Sequence, residues 1–139
     1  MPDESTTPDL VELARRFFEA MNKREFQSIP SFYAPDAVLE SIGMGASFEG
    51  VAAIRGYFED FWSAYEEFEV EPEEVLDLGN GVLLSVARQQ GRVVGSSARV
   101  QMRFAAVAMW VDGAVVRHTL YTDIDEARAA AERLAEERG

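Results

Sequence analysis

At 139 residues the chain suits a single domain that buries roughly two-thirds of the surface its unfolded form would expose. Its 25 acidic residues against 13 basic ones, a formal charge of −12 with no basic run, argue against nucleic acid or a membrane as partner, because phosphate binding needs clustered Lys and Arg. The lack of cysteine excludes disulfides, thiolate chemistry and cysteine metal sites and fits a reducing cytoplasm, the expected location; no stretch reaches the ~18 consecutive apolar residues of a membrane helix.

Residues 1–7 are acidic and polar, unlike a signal peptide, and read as a disordered tail; residues 8–139 read as one domain. Thr7-Pro8-Asp9 has the chemistry of a helix start, with Thr7 as cap, Pro8 in the first turn and Asp9 at the positive end of the dipole. That helix runs to about Lys23 with Leu10, Leu13, Phe17 and Met21 on one stripe. A short helical stretch over 25–33 contains Pro30, which predicts a kink or a late start. Ala34-Pro35-Asp36 is a turn into a strand over 37–42, and 43–50 is a Gly-rich connection. Residues 51–67 form a strong helix with Val51, Ile54, Phe58, Phe61 and Tyr65 at helical spacing, its apolar face widened by Tyr57, Trp62 and Phe68. Four extended segments follow, 68–78, 81–90, 98–111 and 114–122, with turns at Gly79-Asn80-Gly81, 91–97 and Asp112-Gly113. A last helix over 123–137 carries Ala127, Ala130, Ala131 and Leu134 on a thin apolar face.

The segment 98–111 says most about the interior. Period two puts Ala98, Val100, Met102, Phe104, Ala106, Ala108 and Trp110 on one face, and Arg99, Gln101, Arg103, Ala105, Val107, Met109 and Val111 on the other. Its second half is apolar on both faces, so both need cover. Helices followed by a meander predict an α+β fold: a cone-shaped, curved antiparallel sheet, three helices from the N-terminal half closing its concave side, and a C-terminal helix. Small Ala106 and Ala108 leave room in such a cone for a small apolar molecule. The only histidine, His118, is the polar group nearest to it. On the outer face Ala105, Val107 and Met109 would form an exposed patch on a monomer, which predicts a homodimer through that face.

The run Leu13-Ala14-Arg15-Arg16-Phe17-Phe18-Glu19-Ala20-Met21-Asn22, followed by Phe32-Tyr33-Ala34-Pro35-Asp36-Ala37-Val38, resembles the opening of the NTF2-like superfamily, nearest to its SnoaL-like and ketosteroid-isomerase-like members. Phe48-Glu49-Gly50 with Ile54-Arg55 and Phe58 looks like their helix start, and Trp110 to His118, through Asp112-Gly113, like their closing hairpin. The resemblance implies a cone-shaped α+β barrel with an apolar pocket, usually dimeric. It implies no single reaction, because the fold hosts isomerases, cyclases, hydrolases, dehydratases and binding modules.

Carried over position by position, the resemblance removes chemistry. The aspartate base of a ketosteroid isomerase falls on Ser41, its oxyanion tyrosine on Phe17 and its oxyanion aspartic acid on Ala106. A supporting tyrosine falls on Phe58, while another survives as Tyr33. The acid/base aspartate of SnoaL-type cyclases falls on Leu120, although their histidine position matches His118. No Asp-Arg-Asp set of the epoxide-hydrolase kind assembles on inward faces.

His118 remains, and an imidazole titrating near neutrality serves as acid, base or anchor. The plainer reading is an imidazole satisfied by a backbone carbonyl or by Tyr33. Phe17, Met21, Phe58, Phe61, Trp62, Met102, Phe104 and Trp110 either line a ligand pocket, with Tyr33, Ser41, Ala106, His118 and Leu120, or simply fill the cone. Val116, His118, Leu120 and Thr122 share the inward face of the last strand, and Glu40 points away from the cavity. Arg99, Gln101 and Arg103 read as a solvated or dimer-rim patch. One histidine and no cysteine make no standard metal site, and no cofactor is expected. The expectation is a small apolar-molecule binding protein without ketosteroid isomerase chemistry. The alternatives are an isomerase, dehydratase or cyclase using His118 as acid/base on a polyketide- or steroid-like substrate, and a structural dimerisation domain.

Overall fold

The computed structural model describes residues 9–139, so the expected tail and the Thr7-Pro8 pair lie outside the described residues. Helix α1 (Leu10–Asn22) is capped by Asp9, whose carboxylate accepts from the Glu12 N–H at 3.2 Å; Asp9 takes the role expected of Thr7. The stretch Phe26–Ser31 is a 3-10 helix rather than an α-helix, consistent with Pro30 having no N–H to give. Strand β1 (Tyr33–Ser41) begins earlier than expected: Ala34-Pro35-Asp36 is no turn but lies inside the strand, where the register shifts between Tyr33 and Val38. The Gly-rich connection contains a strand of its own, β2 (Ala46–Glu49), folded back on β1 with Ser41 opposite Ala46. Helix α2 (Val51–Ser63) ends short of residue 67 because the chain enters β3 (Tyr65–Asp77). Strands β4 (Val82–Val93), β5 (Arg99–Val111) and β6 (Ala114–Tyr121) and helix α3 (Ile124–Arg138) follow on the expected segments.

The six strands form one sheet in the order β2-β1-β6-β5-β4-β3. Its neighbours are antiparallel with one exception. Strands β1 and β6 run parallel, Leu39 opposite His118, so the sheet is mixed where a purely antiparallel one was expected. This pairing brings the first strand beside the last and places Tyr33 near His118. A bulge in β6 pairs Met109 with Arg117 but Trp110 with Val115, leaving Val116 out of register. Val115 is therefore the buried, inward residue, and strict alternation wrongly put Val116 there.

Helices α1 and α2 and the 3-10 turn cover the concave face and build the main core with Met21, Ile29, Leu39 and Ile54. Two polar ties fix their position. The Asn22 side-chain amide donates to the Val70 carbonyl at 2.9 Å and its oxygen accepts from the Val70 N–H at 2.7 Å, pairing the free edge of β3. Arg24 donates to the carbonyls of Trp62, in the last turn of α2, and of Tyr65, the first residue of β3.

On the convex face the apolar patch from which a dimer was expected has a cover of its own. Ala127, Ala131 and Ala135, four residues apart on α3, pack on Val82, Leu84, Val86, Ala105 and Val107. Ala105 and Val107 are only 0% and 5% exposed, and Met109 is half-buried, its sulfur accepting from Arg138. The part of the outer apolar patch formed by Ala105 and Val107 is thus covered from within the chain. Beyond α3 the same face is polar: Arg99 pairs with Glu67 and Arg103 with Glu73, as expected of a solvated patch. Among the described residues no helix is long and apolar enough to cross a membrane.

Candidate functional site

Between the concave face of the sheet and the helices lies a cavity of about 280 Å³. Helix α1 contributes Phe17 and Met21, α2 Phe58, Phe61 and Trp62, β1 Tyr33 and Ser41, β5 Met102, Phe104, Ala106 and Trp110, and β6 His118 and Leu120. Every candidate residue from the sequence thus reaches the cavity. Met102 does so from the rim, where it is 44% exposed. Ser41, Phe17, Ala106 and Leu120, the positions onto which the resemblance carries catalytic carboxylates or a tyrosine, all line the cavity, and none is an acid or a tyrosine.

Sequence reasoning passed over Phe18, Phe32, Tyr57, Ser85, Gln89 and Met44, which also line the cavity. Ser85 and Gln89 were findable: they alternate with Leu83 and Ala87 on β4, and Ser85 faces Ala106 across the β4–β5 ladder. Met44 sits in the Gly-rich connection, where no periodicity marks it.

Phe17 organises the deep end. Its ring meets Phe32, Phe58, Tyr33 and His118 edge-on, with centroids 5.4, 5.6, 5.9 and 6.2 Å away. Against this wall the Tyr33 hydroxyl lies 2.7 Å from His118 Nδ1, with both side chains buried. Burial pushes the imidazole pKa down from 6.5 to about 4, so His118 is neutral at physiological pH. Burial, and secondarily Tyr57, raise the Tyr33 phenol well above its ordinary value, so it keeps its proton.

Those two protonation states orient the bond. A neutral imidazole bears one N–H, and a protonated phenol has one O–H to donate. Among the described residues the Tyr33 hydroxyl has no partner besides Nδ1. Donation from the phenol to Nδ1 uses that proton and leaves the hydrogen of the imidazole on Nε2. The opposite arrangement strands a buried O–H at a cost of about 1–3 kcal/mol. Nε2 has no partner among the described residues and, unlike the sealed indole nitrogens of Trp62 and Trp110, is not closed off by protein atoms. It opens on the cavity that His118 lines.

Among the described residues no Asp, Glu, Lys or Arg lines the cavity. Glu40 points to the other side of the sheet, where it accepts from Arg117 at 3.0 Å. Among the described residues no group of three or more His, Cys, Asp or Glu side chains is arranged to hold a metal ion. The site is therefore an apolar chamber with one oriented imidazole at its deep end and neutral hydroxyl and amide groups elsewhere.

Comparison with known proteins agrees with this architecture. Residues 14–118 match the SnoaL-like domain, and the chain belongs to that family. The cone-shaped fold is that of the NTF2-like, ketosteroid-isomerase-like proteins. A putative polyketide cyclase from Sinorhizobium meliloti is 27% identical, with a TM-score of 0.65 over 82% of this chain and 94% of that one. A putative SnoaL-like polyketide cyclase from Jannaschia sp. CCS1 superposes with a TM-score of 0.75 over 95% and 97% of the two chains at 16% identity. An LEH-like epoxide hydrolase of M. tuberculosis gives 0.69 over 88% and 89% at 17% identity. No protein of curated function matches the chain in sequence.

Proposed function

We propose that the chain is a binding module for a small apolar molecule held inside the cone. The observation that supports this best is an apolar cavity of about 280 Å³ lined by an imidazole that Tyr33 holds at Nδ1 and whose other nitrogen has no partner among the described residues. That volume sits at the lower edge of the ~300–1,000 Å³ range of small-molecule pockets and suits a ligand of a few fused rings. The lack of any lining carboxylate speaks against the acid/base chemistry of ketosteroid isomerases and SnoaL-type cyclases. A thermal-shift screen of steroids, polyketides and terpenoids tests the reading. At least one class should raise the Tm, and His118→Ala should reduce the rise. No shift from any class, with no compound copurifying by native mass spectrometry, would sink it.

A second reading is an isomerase, dehydratase or cyclase with His118 as its proton-transfer group. Its support is the Tyr33–His118 pair inside the cavity and the likeness to a putative polyketide cyclase. Turnover of a polyketide or steroid ketone that disappears in His118→Gln would favour this reading over plain binding.

A further inference from the structure

We propose that Tyr33 is a positioning residue that locks His118 as a hydrogen-bond donor into the cavity, so that the ligand is an uncharged molecule presenting an acceptor oxygen, such as a ketone or epoxide, to Nε2–H. This deepens the binding reading and rests on it. The first support is geometric. The phenol of Tyr33 occupies Nδ1 at 2.7 Å from β1, the neighbouring parallel strand, and Nε2 is left facing the chamber. A ligand hydroxyl or amine that needs an acceptor at this point finds an N–H instead; an acceptor oxygen completes the only hydrogen bond the imidazole lacks.

The second support is the charge distribution. The chain carries −12 overall, yet among the described residues no charged side chain reaches the cavity wall. An anion would enter against the field of the whole molecule and meet no cation, while a cation would lose its hydration and meet no carboxylate. The groups packed around the imidazole are Tyr33 from β1, Phe17 from α1 and Ala108 from β5. Tyr57, which also lines the cavity and acts on Tyr33, has its phenol pKa raised by burial too. No neighbour supplies a charge that would turn the imidazole into an acid or a base. Ala106 and Ala108 beside His118 leave room for a flat ring whose oxygen lies at Nε2.

The test compares three probes of one shape by calorimetry: 2-acetylnaphthalene, 2-isopropenylnaphthalene, in which a CH2 replaces the carbonyl oxygen, and 2-naphthoate. The ketone should bind about tenfold tighter than the alkene, because the alkene leaves Nε2–H unpaired, and the carboxylate should bind weakest. His118→Phe should erase the ketone preference while retaining alkene binding, and Tyr33→Phe should reduce the preference several-fold. Nitrogen-15 spectra of the single histidine should show a protonated Nε2 and a bare Nδ1, with both tautomers populated in Tyr33→Phe. Equal affinity for ketone and alkene, or a protonated Nδ1 in the wild type, would overturn this inference alone. Failure of all three probes to bind would overturn the binding reading and this inference together. If Tyr33→Phe does not fold, the wild-type spectrum and probe ratio still decide.

Discussion

Below pH 6.5 the unfolded chain takes up a proton on its only imidazole, whereas in the folded protein burial holds the His118 pKa at about 4. The folded-state value is lowered, so this residue costs nothing above pH 6.5 and withdraws stability as pH falls towards 4. At about 1.4 kcal/mol per pH unit, the drop between pH 7 and 5 comes to about 2 kcal/mol. Carboxylates held low, Glu66 by the Gly95 N–H and Glu74 by Arg128, withdraw theirs only at more acid pH. Urea unfolding at pH 7 and 5 should show this loss in the wild type and lack it in His118→Gln, which keeps an acceptor for Tyr33. A wild type equally stable at both values would mean that the imidazole is hydrated. The sequence made His118 stand out as the sole histidine on an inward strand position. It left Tyr33 as one of two ways to satisfy the ring, because the pair is 85 residues apart in the chain and meets only through parallel β1–β6 pairing. The direction of the bond was beyond reach, since it depends on burial of both partners.

Secondary elements were legible where periodicity is local, as along β5 and α2, and illegible where pairing is distant. Strand β2 spans only Ala46–Glu49 and exists because β1 offers it an edge. The bulge at Val116 likewise comes from the β5 partner rather than from β6 itself. The edge strand β3 has its own distant support: Asn22 satisfies both backbone groups of Val70 and ties α1 to the sheet. Asn22→Ala removes both bonds at once and should cost about 1–3 kcal/mol. Hydrogen exchange should show faster opening of the Val70 amide, with β5 unaffected. A variant as stable as the wild type, with Val70 still protected, would mean water replaces the amide at no cost. On the opposite face, Ala131 is 0% exposed between α3 and the sheet. Ala131→Leu should overpack that seam and cost about 1–3 kcal/mol, read from the urea midpoint.

At the scale of the whole molecule, one sheet separates two apolar interiors: a chamber on its concave side and, on its convex side, the alanine face of α3 packed on β4 and β5 beside a more polar hollow between β6 and α3. The sequence showed that β5 needed cover on both faces. It could not tell a second copy of the chain from its own last helix, because a thin alanine stripe looks too weak to seal a sheet until its flatness is matched to Ala105 and Val107. The two arrangements respond oppositely to a charge at Val107. At an interface between copies, Val107→Asp would give a folded monomer with nearly unchanged Tm. Beneath α3, where Val107 is 5% exposed, it buries an unpaired carboxylate and should lower stability by several kcal/mol whatever the oligomeric state. Light scattering and thermal unfolding of the same sample read both outcomes. Loss of Tm is expected, and a stable monomer from a dimeric parent would restore the sheet face as an interface. Removing residues 123–139 should have the complementary effect, exposing Val82, Leu84 and Val86 together with Ala105 and Val107 and driving the truncated chain to self-associate.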